Sequence, residues 1–218
     1  MILSRLSDVS NTESWASRLR LRRVRAMLDL IGGCSNPRIL DVGGEERFWT
    51  NVWKMGMPKG ISITLLNTSE RKMSGLLPIQ AVVGDARDLS QFGVGEFDIA
   101  FSNSVIEHVG TLMDQRKMAE ELRRVAKHYF LQTPYRYFPI EAHFHVPGWA
   151  QLPVALRTYL HRRVDLGWMK AEPDYILAKS NVEQVRLLNL KEFRALFPEA
   201  RIVRECIGPF LKSMIAIG

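Results

Sequence analysis

The sequence predicts an α/β protein built on a mostly parallel β-sheet. Short apolar runs, of the length of buried strands, alternate along the chain with segments whose apolar residues recur at helical spacing. Each of the first four apolar runs ends in polar residues or glycine. Such alternation is typical of crossover units, in which helices cover both faces of a parallel sheet.

The N-terminal part of the chain is predicted to form one helix, from about Thr12 to Ile31, with apolar residues at helical spacing. The glycines at positions 32 and 33 and the proline at 37 end it. Its stretch RLRLRRVR, residues 18–25, is the densest basic group of the sequence. A solvated helix face that covers the sheet is the simplest interpretation, and contact with an anionic membrane or with RNA are the alternatives.

The elements after this helix follow the same alternation of strand and helix patterns. The predicted strands are Arg38–Val42, Ile61–Asn67, Ile79–Asp85, Phe97–Asn103, His128–Pro134, Ala200–Ile207 and Lys212–Gly218. The predicted helices are Phe48–Met55, Asp114–Ala126 and Leu190–Pro198.

Between residues 134 and 189 the pattern changes to a segment rich in aromatic residues, histidine and proline, with a helical pattern over Val154–Met169. We interpret it as an insertion that caps the strand ends. The 218 residues suit a single domain with a sizeable core.

Composition indicates which partners, which cysteine chemistry and which compartment to expect. The formal charge of +7 and the pI near 9.6 favour anionic partners, although the basic residues are spread along the chain. Cys34 and Cys206 are the two cysteines, which indicates neither a disulfide framework nor a zinc site built from cysteine pairs. No apolar run has the length of a membrane span or of a signal-peptide core, so a cytoplasmic protein is expected.

Four predicted strands end in residues suited to ligand binding. In an open parallel sheet, ligands bind outside the carboxyl ends of the strands. These ends read Asp41-Val-Gly-Gly, Asn67-Thr-Ser, Gly84-Asp-Ala and Ser102-Asn-Ser. Four such turns in succession predict a binding site along that edge of the sheet.

These turns make the chain resemble the class I S-adenosylmethionine-dependent methyltransferases, in the small-molecule branch described as a methyltransferase domain. ILDVGG resembles the glycine loop, ITLLNTS the ribose-binding segment, VVGDARDL the adenine-binding turn, and FDIAFSNSVIEHV the motif that lines the transfer site. The resemblance implies a three-layer Rossmann-like fold, with a seven-stranded sheet whose last strand is antiparallel. It implies S-adenosylmethionine as cofactor, bound by Asp41, Gly43, Gly44, Asn67, Asp85, Ala86, Asn103 and Ser104.

On this basis the predicted single domain divides into four parts. They are an N-terminal helical extension (1–36), a cofactor-binding core (37–133), a substrate-capping insertion (134–189), and a C-terminal helix with a β-hairpin (190–218).

Two residues depart from the family pattern. Glu45 stands where the family has glycine, and Asn67 stands where it has an acidic residue. Glu45 would repel the carboxylate of the cofactor unless it is turned outward or paired with Arg47, and an amide accepts a hydrogen bond more weakly than a carboxylate does. We expect weaker cofactor binding than in the family, not its loss.

The candidate catalytic residues are Glu107, His108 and His143. Glu107 and His108 follow the fourth strand, and they serve either in proton transfer or as loop and packing residues. The pattern E-x-x-E-H binds a divalent ion in some quinol O-methyltransferases, but Ser104 replaces its first glutamate here. The sequence therefore predicts no metal site.

The capping insertion supplies the candidate acceptor contacts, namely Tyr135, Tyr137, Glu141 and Trp149. If the segment is extended, its period of two places Glu141, His143 and His145 on one side. A neutral histidine there would serve as a general base.

The resulting functional hypothesis is methyl transfer to a small-molecule or lipid- or sugar-linked acceptor, with O-methylation slightly favoured. One alternative is an inactive methyltransferase-like scaffold, for which Glu45 and Asn67 are the argument. The other is an RNA methyltransferase, which is less favoured because no RNA-binding module is visible. No motif selects the acceptor or the oligomeric state.

Overall fold

The computed structural model describes residues 15–32, 34–54, 60–75, 77–141 and 143–218. Seven strands form one sheet in the order β3-β2-β1-β4-β5-β7-β6. β1 pairs in parallel with β2 and β4, β2 pairs in parallel with β3, and the terminal β6 and β7 pair antiparallel. The predicted Rossmann-like α/β fold with an antiparallel last strand is therefore confirmed. The strands are β1 Arg38–Val42, β2 Ser62–Asn67, β3 Ile79–Val83, β4 Phe97–Asn103, β5 Ala126–Pro134, β6 Arg201–Ile207 and β7 Phe210–Ile217.

The helices follow the predicted order, with the main differences in the insertion. They are α1 Trp15–Leu30, α2 Glu46–Lys54, α3 Leu112–Val125, α4 Val154–His161, α5 Tyr175–Glu183 and α6 Leu190–Leu196, with short 3-10 helices at Ile106–His108 and Trp149–Gln151. The predicted start of the first helix, Thr12, lies outside the described residues. Within the part of the chain that the structure describes, no helix has both the length and the apolar character that crossing a bilayer requires.

The helix predicted over Val154–Met169 is wrong in its second half, since α4 ends at His161. Gly167 takes a positive φ of 56°, and the backbone groups of Leu166 and Met169 bond to each other in a turn. The structure adds α5, which begins where the Asp174 side chain accepts the amide of Leu177. This helix has no broad apolar stripe, because it buries mainly Ala178 and Val182, one turn apart.

By their contacts, the residues form two compact units. The first comprises the described residues up to Ser102 together with Leu122–Phe130. Its core is aromatic around Phe101, which stacks on Phe48 and Phe130 and meets the edge of Trp49.

Helix α1 lies in this first unit and is not uniformly solvated on its basic side. Arg22 and Arg25 are exposed, but Arg23 is 7% exposed and lies among the buried residues together with Val24 and Met27. The interpretation of a solvated arginine face therefore holds for Arg22 and Arg25 and is wrong for Arg23. A long arginine side chain buries its aliphatic stem readily against apolar neighbours.

The second unit comprises Asn103–Glu121 and Leu131–Gly218. In its insertion Phe144 stacks on Trp149 with ring centroids 4.5 Å apart, and both are buried with Val182. Helix α6 begins with a capping box in which Asn189 and Glu192 satisfy each other's backbone amides. The division of the chain into a single domain with four parts stays a prediction.

Candidate active site

The glycine loop after β1 lies in the first unit and is built on a buried carboxylate. Asp41 is 2% exposed, and its Oδ2 accepts the indole Nε1–H of Trp49 at 2.6 Å. A Cβ at position 44 would lie 1.9 Å from this same Oδ2, so only glycine fits beside it. Gly43 takes a positive φ of 75°, and its amide donates to the carbonyl of Leu66 at 2.8 Å. Asp41 thus sets the shape of the loop.

Asn67, at the end of β2, holds the same loop from the neighbouring strand. Its Nδ2 donates to the carbonyl oxygen of Gly44 at 3.0 Å. A carboxylate at this position could not donate that hydrogen bond. The departure from the family pattern therefore has a structural use in this chain. The other departure, Glu45, is exposed.

The turn after β3 presents Asp85 in contact with an arginine. The guanidinium Nε of Arg87 lies 2.9 and 3.0 Å from the two carboxylate oxygens of Asp85, and the amide of Arg87 donates to Oδ1 at 2.9 Å. The preceding glycine donates its amide to the carbonyl of Asn67 at 2.9 Å, and Ala86 is buried. Sequence reasoning did not include Arg87, although it stands two residues beyond the predicted Asp85.

In the second unit, Glu107 is a fully buried carboxyl group. It is 0% exposed, and its Oε2 accepts the hydroxyl of Thr133 at 3.0 Å. Its Oε1 is buried and has no hydrogen-bond partner. Desolvation by burial raises the pKa of Glu107 to about 7, although the hydrogen bonds and the charge of His143 oppose the shift.

Two imidazoles and a second carboxylate accompany Glu107. Nε2 of His143 lies 3.1 Å from Nε2 of His108, and Nδ1 of His143 lies 2.6 Å from Oε1 of Glu141. Taken together, one carboxylate oxygen of Glu107 and one nitrogen of each histidine lie within 4.8 Å of one another.

The two histidines of this cluster have pKa values that are shifted in opposite directions. Desolvation, followed by repulsion from His143, lowers the pKa of His108 to about 4, although part of the residue stays exposed. Desolvation acts to lower the pKa of His143, but the hydrogen bond and charge of Glu141 outweigh it and raise that pKa. Desolvation acts to raise the pKa of Glu141, but His143 and the backbone amides outweigh it and lower that pKa. Glu141 and His143 therefore form a charged pair, and His108 stays neutral.

The segment that carries Glu141 and His143 is a turn, so the predicted extended conformation is wrong. The Glu141 carboxylate accepts the amides of His143 and Phe144 at 2.8 and 2.6 Å, and its carbonyl accepts the amide of His145 at 3.0 Å. Local capping by a carboxylate competes with extended structure. The turn brings Glu141 and His143 together, as expected, but it places the ring of His145 against Trp168 instead.

The residues after β4 are held by the end of β5. Ser104 takes a positive φ of 59°, its amide donates to the carbonyl of Gln132, and its hydroxyl donates to Oε1 of Gln132, both at 3.0 Å. Asn103 is half-buried. Ser104 therefore positions the turn that carries Glu107 and His108.

A cavity of about 210 Å³ lies in the insertion of the second unit. Glu141 and Trp149, two of the four predicted acceptor contacts, line it together with Arg136 and Arg157. Desolvation and the nearby charge of Arg136 lower the pKa of Arg157. The other two predicted contacts, Tyr135 and Tyr137, pack against each other with ring centroids 5.6 Å apart.

Thr133 and Gln132 were missed by sequence reasoning. Both stand at the carboxyl end of β5, in the sequence FLQTP, where polar residues follow an apolar run. The rule that identified the ends of the first four strands would have identified them as well. Arg136 and Arg157 carried no comparable signal.

A comparison with known proteins bears on the family. Residues 46–129 match the family model described as a methyltransferase domain. Over these residues the chain is similar to the methyltransferase family that the strand-end motifs indicate. This match supports the predicted family, with S-adenosylmethionine as the cofactor that it implies.

Solved structures of other methyltransferases share the fold of this one. A SAM-dependent methyltransferase from Aquifex aeolicus matches at 14% identity with a TM-score of 0.55, over 98% of this chain and 97% of that chain. The N-terminal domain of EvdMO1 with SAH bound matches at 17% identity and a TM-score of 0.56, over 91% of this chain and 79% of its own.

The CurJ carbon methyltransferase matches at 9% identity and a TM-score of 0.59, over 99% of this chain and 56% of that chain. No curated protein matches the sequence. At these identities the likeness shows the fold and leaves the acceptor to the chemistry of the site.

Proposed function

We propose that this methyltransferase transfers the methyl group of S-adenosylmethionine to a hydroxyl oxygen of a small-molecule or lipid- or sugar-linked acceptor. The observation that supports an oxygen acceptor is the Glu107 carboxyl group, which is buried, has a pKa of about 7, and keeps one oxygen without a partner. A hydroxyl must lose its proton as it is methylated, and a base is most effective when its pKa lies near the working pH.

The residues of the first unit fit the cofactor. S-adenosylmethionine supplies an electrophilic methyl group when it is bound. Asn67 uses its amide N–H on Gly44, which leaves its carbonyl oxygen to accept from a ribose hydroxyl. Asp85 would accept from the adenine amino group, and the exposed Gly43 lets the backbone approach the methionine part. In the second unit, Asn103 and Ser104 are the remaining cofactor candidates.

Glu107 is the best candidate for the base. Thr133 fixes one of its oxygens, which leaves the other to accept a proton from the acceptor. His143 is a weaker candidate than the sequence indicated, because its pairing with Glu141 favours the protonated ring. In this proposal His143 and Glu141 orient the site, and His108 accepts the Nε2–H of His143.

The cavity beside Glu141 is the candidate binding site for the acceptor. Its wall combines the indole of Trp149 with the cations of Arg136 and Arg157. An aromatic surface together with two guanidinium groups suits an acceptor that has both an apolar part and an anionic group. Contact of α1 with an anionic membrane, through the exposed Arg22 and Arg25, stays a further prediction for a lipid-linked acceptor.

Calorimetric titration with S-adenosylmethionine and with its demethylated product is the first test. We expect micromolar binding that Asp85→Ala weakens at least tenfold. Arg123→Ala, on helix α3, is the matched control and should bind normally. Absence of binding at millimolar ligand would overturn the proposal and favour the scaffold alternative.

An acceptor screen tests the oxygen chemistry. Matched compounds that carry a hydroxyl, an amine or an activated carbon at the same position are compared by release of demethylated cofactor, with the product identified by mass spectrometry. We expect turnover of the hydroxyl compounds and its loss by at least a hundredfold in Glu107→Gln. Turnover confined to amines or carbon acids would refute O-methylation, and steeply salt-dependent binding of RNA would favour the RNA alternative.

A further inference from the structure

Glu107, His108 and His143 carry the chemistry of a transition-metal site. They bring one carboxylate oxygen and two imidazole nitrogens within 4.8 Å of one another. The Nε2 atoms of His108 and His143 face each other at 3.1 Å. Two nitrogens bound to one tetrahedral ion, each at about 2.0–2.1 Å, lie roughly 3.3 Å apart. We propose that these three side chains bind one divalent transition-metal ion.

The free carboxylate oxygen is the second observation in favour of a cation. Glu107 is 0% exposed, and its Oε1 is buried without a hydrogen-bond partner. Buried polar atoms in folded proteins are nearly always satisfied, and an ion is one of the partners that explains an exception. Thr133 donates to the other oxygen of the same group, which fixes the orientation of the carboxylate.

His143 has the carboxylate partner that metal-binding histidines commonly have on their second ring nitrogen. Glu141 accepts from Nδ1 of His143 at 2.6 Å, which leaves Nε2 as the coordinating atom. A carboxylate behind a histidine fixes the tautomer and raises the basicity of the ligand. Glu141 is itself held by the amides of His143 and Phe144, so this support is rigid.

The ligand set selects the class of ion. Two imidazoles and one carboxylate suit zinc, iron or another late first-row ion, whereas magnesium prefers oxygen ligands and retains water. The sequence predicted no metal because Ser104 stands at the first position of E-x-x-E-H. The Ser104 hydroxyl donates to Gln132, and the third ligand comes instead from His143 in the insertion.

In the metal-bound protein the free oxygen of Glu107 would coordinate the ion and would not act as the base. The ion would then activate the acceptor, because a hydroxyl that coordinates a cation loses its proton to solvent more readily. The metal site does not depend on the identity of the acceptor, since it rests on side chains of the second unit alone. Metal binding can therefore be tested without turnover, and its failure would leave the proposed methyl transfer in place.

The test is a titration of EDTA-stripped protein with Zn²⁺ in competition with a chromophoric chelator, and with Co²⁺ followed by its visible absorption. A Cys34→Ser/Cys206→Ser background removes the two exposed thiols, because a thiolate is itself a zinc ligand. We expect one ion per chain, proton release on binding, and no displacement by a hundredfold excess of Mg²⁺.

Variants of the cluster locate the ion. His108→Ala, His143→Ala and Glu107→Gln should each weaken binding at least a hundredfold, and Glu141→Gln, behind His143, should weaken it by roughly 10- to 100-fold. His145→Ala is the matched control, because His145 lies in the same turn but contacts Trp168, and it should bind as the parent does. Circular dichroism of each variant, and the more conservative His143→Gln, separate loss of a ligand from loss of the fold.

Two results would overturn the inference. One is the absence of stoichiometric Zn²⁺ or Co²⁺ binding by the folded, stripped protein. The other is binding that survives in both His108→Ala and His143→Ala. Titration with S-adenosylmethionine on the same samples reports on the cofactor site independently of either result.

Discussion

Two buried carboxylates, one in each unit, show how differently this chain treats the same chemical group. Asp41 in the first unit accepts the indole N–H of Trp49 and sits against Gly44. Glu107 in the second unit is equally buried, yet one of its oxygens has no hydrogen-bond partner and its pKa rises to about 7. Asp41 therefore fixes the conformation of the glycine loop, whereas Glu107 has an oxygen that a proton or the proposed ion can bind.

The comparison teaches that burial alone does not reveal the role of an ionisable group. A satisfied carboxylate stabilises the fold around it, whereas an unsatisfied one costs stability. Such a cost is typical of functional sites, where groups are held ready for a ligand at the expense of the folded state. Substitutions that satisfy Glu107 or remove a partner of Asp41 should therefore have opposite effects.

The largest expected effect is the stabilisation of the metal-free protein by Glu107→Gln at high pH. The pKa of Glu107 is about 7 in the folded protein, against 4.5 for an ordinary glutamate. Below pH 4.5 both states are protonated and there is no penalty. Between pH 4.5 and 7 only the unfolded state loses its proton, so the folded state is progressively destabilised, by on the order of 3 kcal/mol above pH 7. Glutamine resembles the protonated acid, so the variant should be more stable by about that amount at pH 8.

Urea unfolding of EDTA-treated protein at pH 8 and at pH 5 measures this difference. The extra stability of Glu107→Gln over the wild type should be much smaller at pH 5 than at pH 8, because Glu107 is protonated at pH 5 in the folded wild type. A gain that is the same at both pH values would show that glutamine stabilises by packing. A loss at pH 8 would show that Glu107 is satisfied in the absence of metal.

The second effect lies in the first unit and has the opposite sign. Trp49→Phe removes the indole donor and leaves Oδ2 of Asp41 buried without it, which should cost about 2 kcal/mol. Denaturant unfolding checks the value. Trp53→Phe, at a half-buried position of the same helix, is the control and should cost less free energy of unfolding than Trp49→Phe does. Equal costs for the two variants would mean that the bond to Asp41 contributes nothing.

A smaller effect should follow from Asn67→Asp, although it restores the residue typical of the family. Aspartate cannot donate to the carbonyl of Gly44, so the loop should lose about 1 kcal/mol of stability. We expect cofactor affinity no better than that of the wild type, measured by calorimetry, because the lost loop contact offsets the stronger acceptor. If Asn67→Asp binds the cofactor more tightly than the wild type, the ribose contact outweighs the loop contact.

The smallest effect is expected for Glu45→Gly, which restores the missing glycine of the loop. Glu45 is exposed, so its charge is screened by solvent. Stability should change by less than about 0.5 kcal/mol, as for other exposed positions. Cofactor affinity should rise by roughly threefold at most in the same calorimetric titration. A tenfold rise would show that Glu45 does oppose the cofactor carboxylate.

Much of the fold could be predicted from the sequence because local patterns of apolar and polar residues indicate most of its strands and helices. The apolar runs that form β1 to β4 are short and end in polar turns. The secondary structure of such a run is set mainly by the residues next to it in the chain. Where local signals were weak, prediction was wrong. The segment after His161 has a helical pattern that Gly167 interrupts, and the turn at Glu141 depends on a side-chain cap that periodicity does not show.

The candidate site was predicted only in part. Glu107, His108 and His143 were identified by residue type and by their place after a strand or in the insertion. The contacts among them could not be predicted, because His143 lies 35 residues from His108 in the chain. Thr133 and Asn67 took roles that depend on partners 26 and 23 residues away.

By itself the sequence determined the alternation of strands and helices, the polar strand ends and the resemblance to a methyltransferase family. Those features depend on residue type and spacing, which short segments carry. The tertiary structure alone determined that Asp41 is satisfied while Glu107 is not, and that two histidines meet across 3.1 Å beside it. Desolvation and hydrogen bonding of a buried group depend on every segment packed around it, and no single stretch of sequence contains that information.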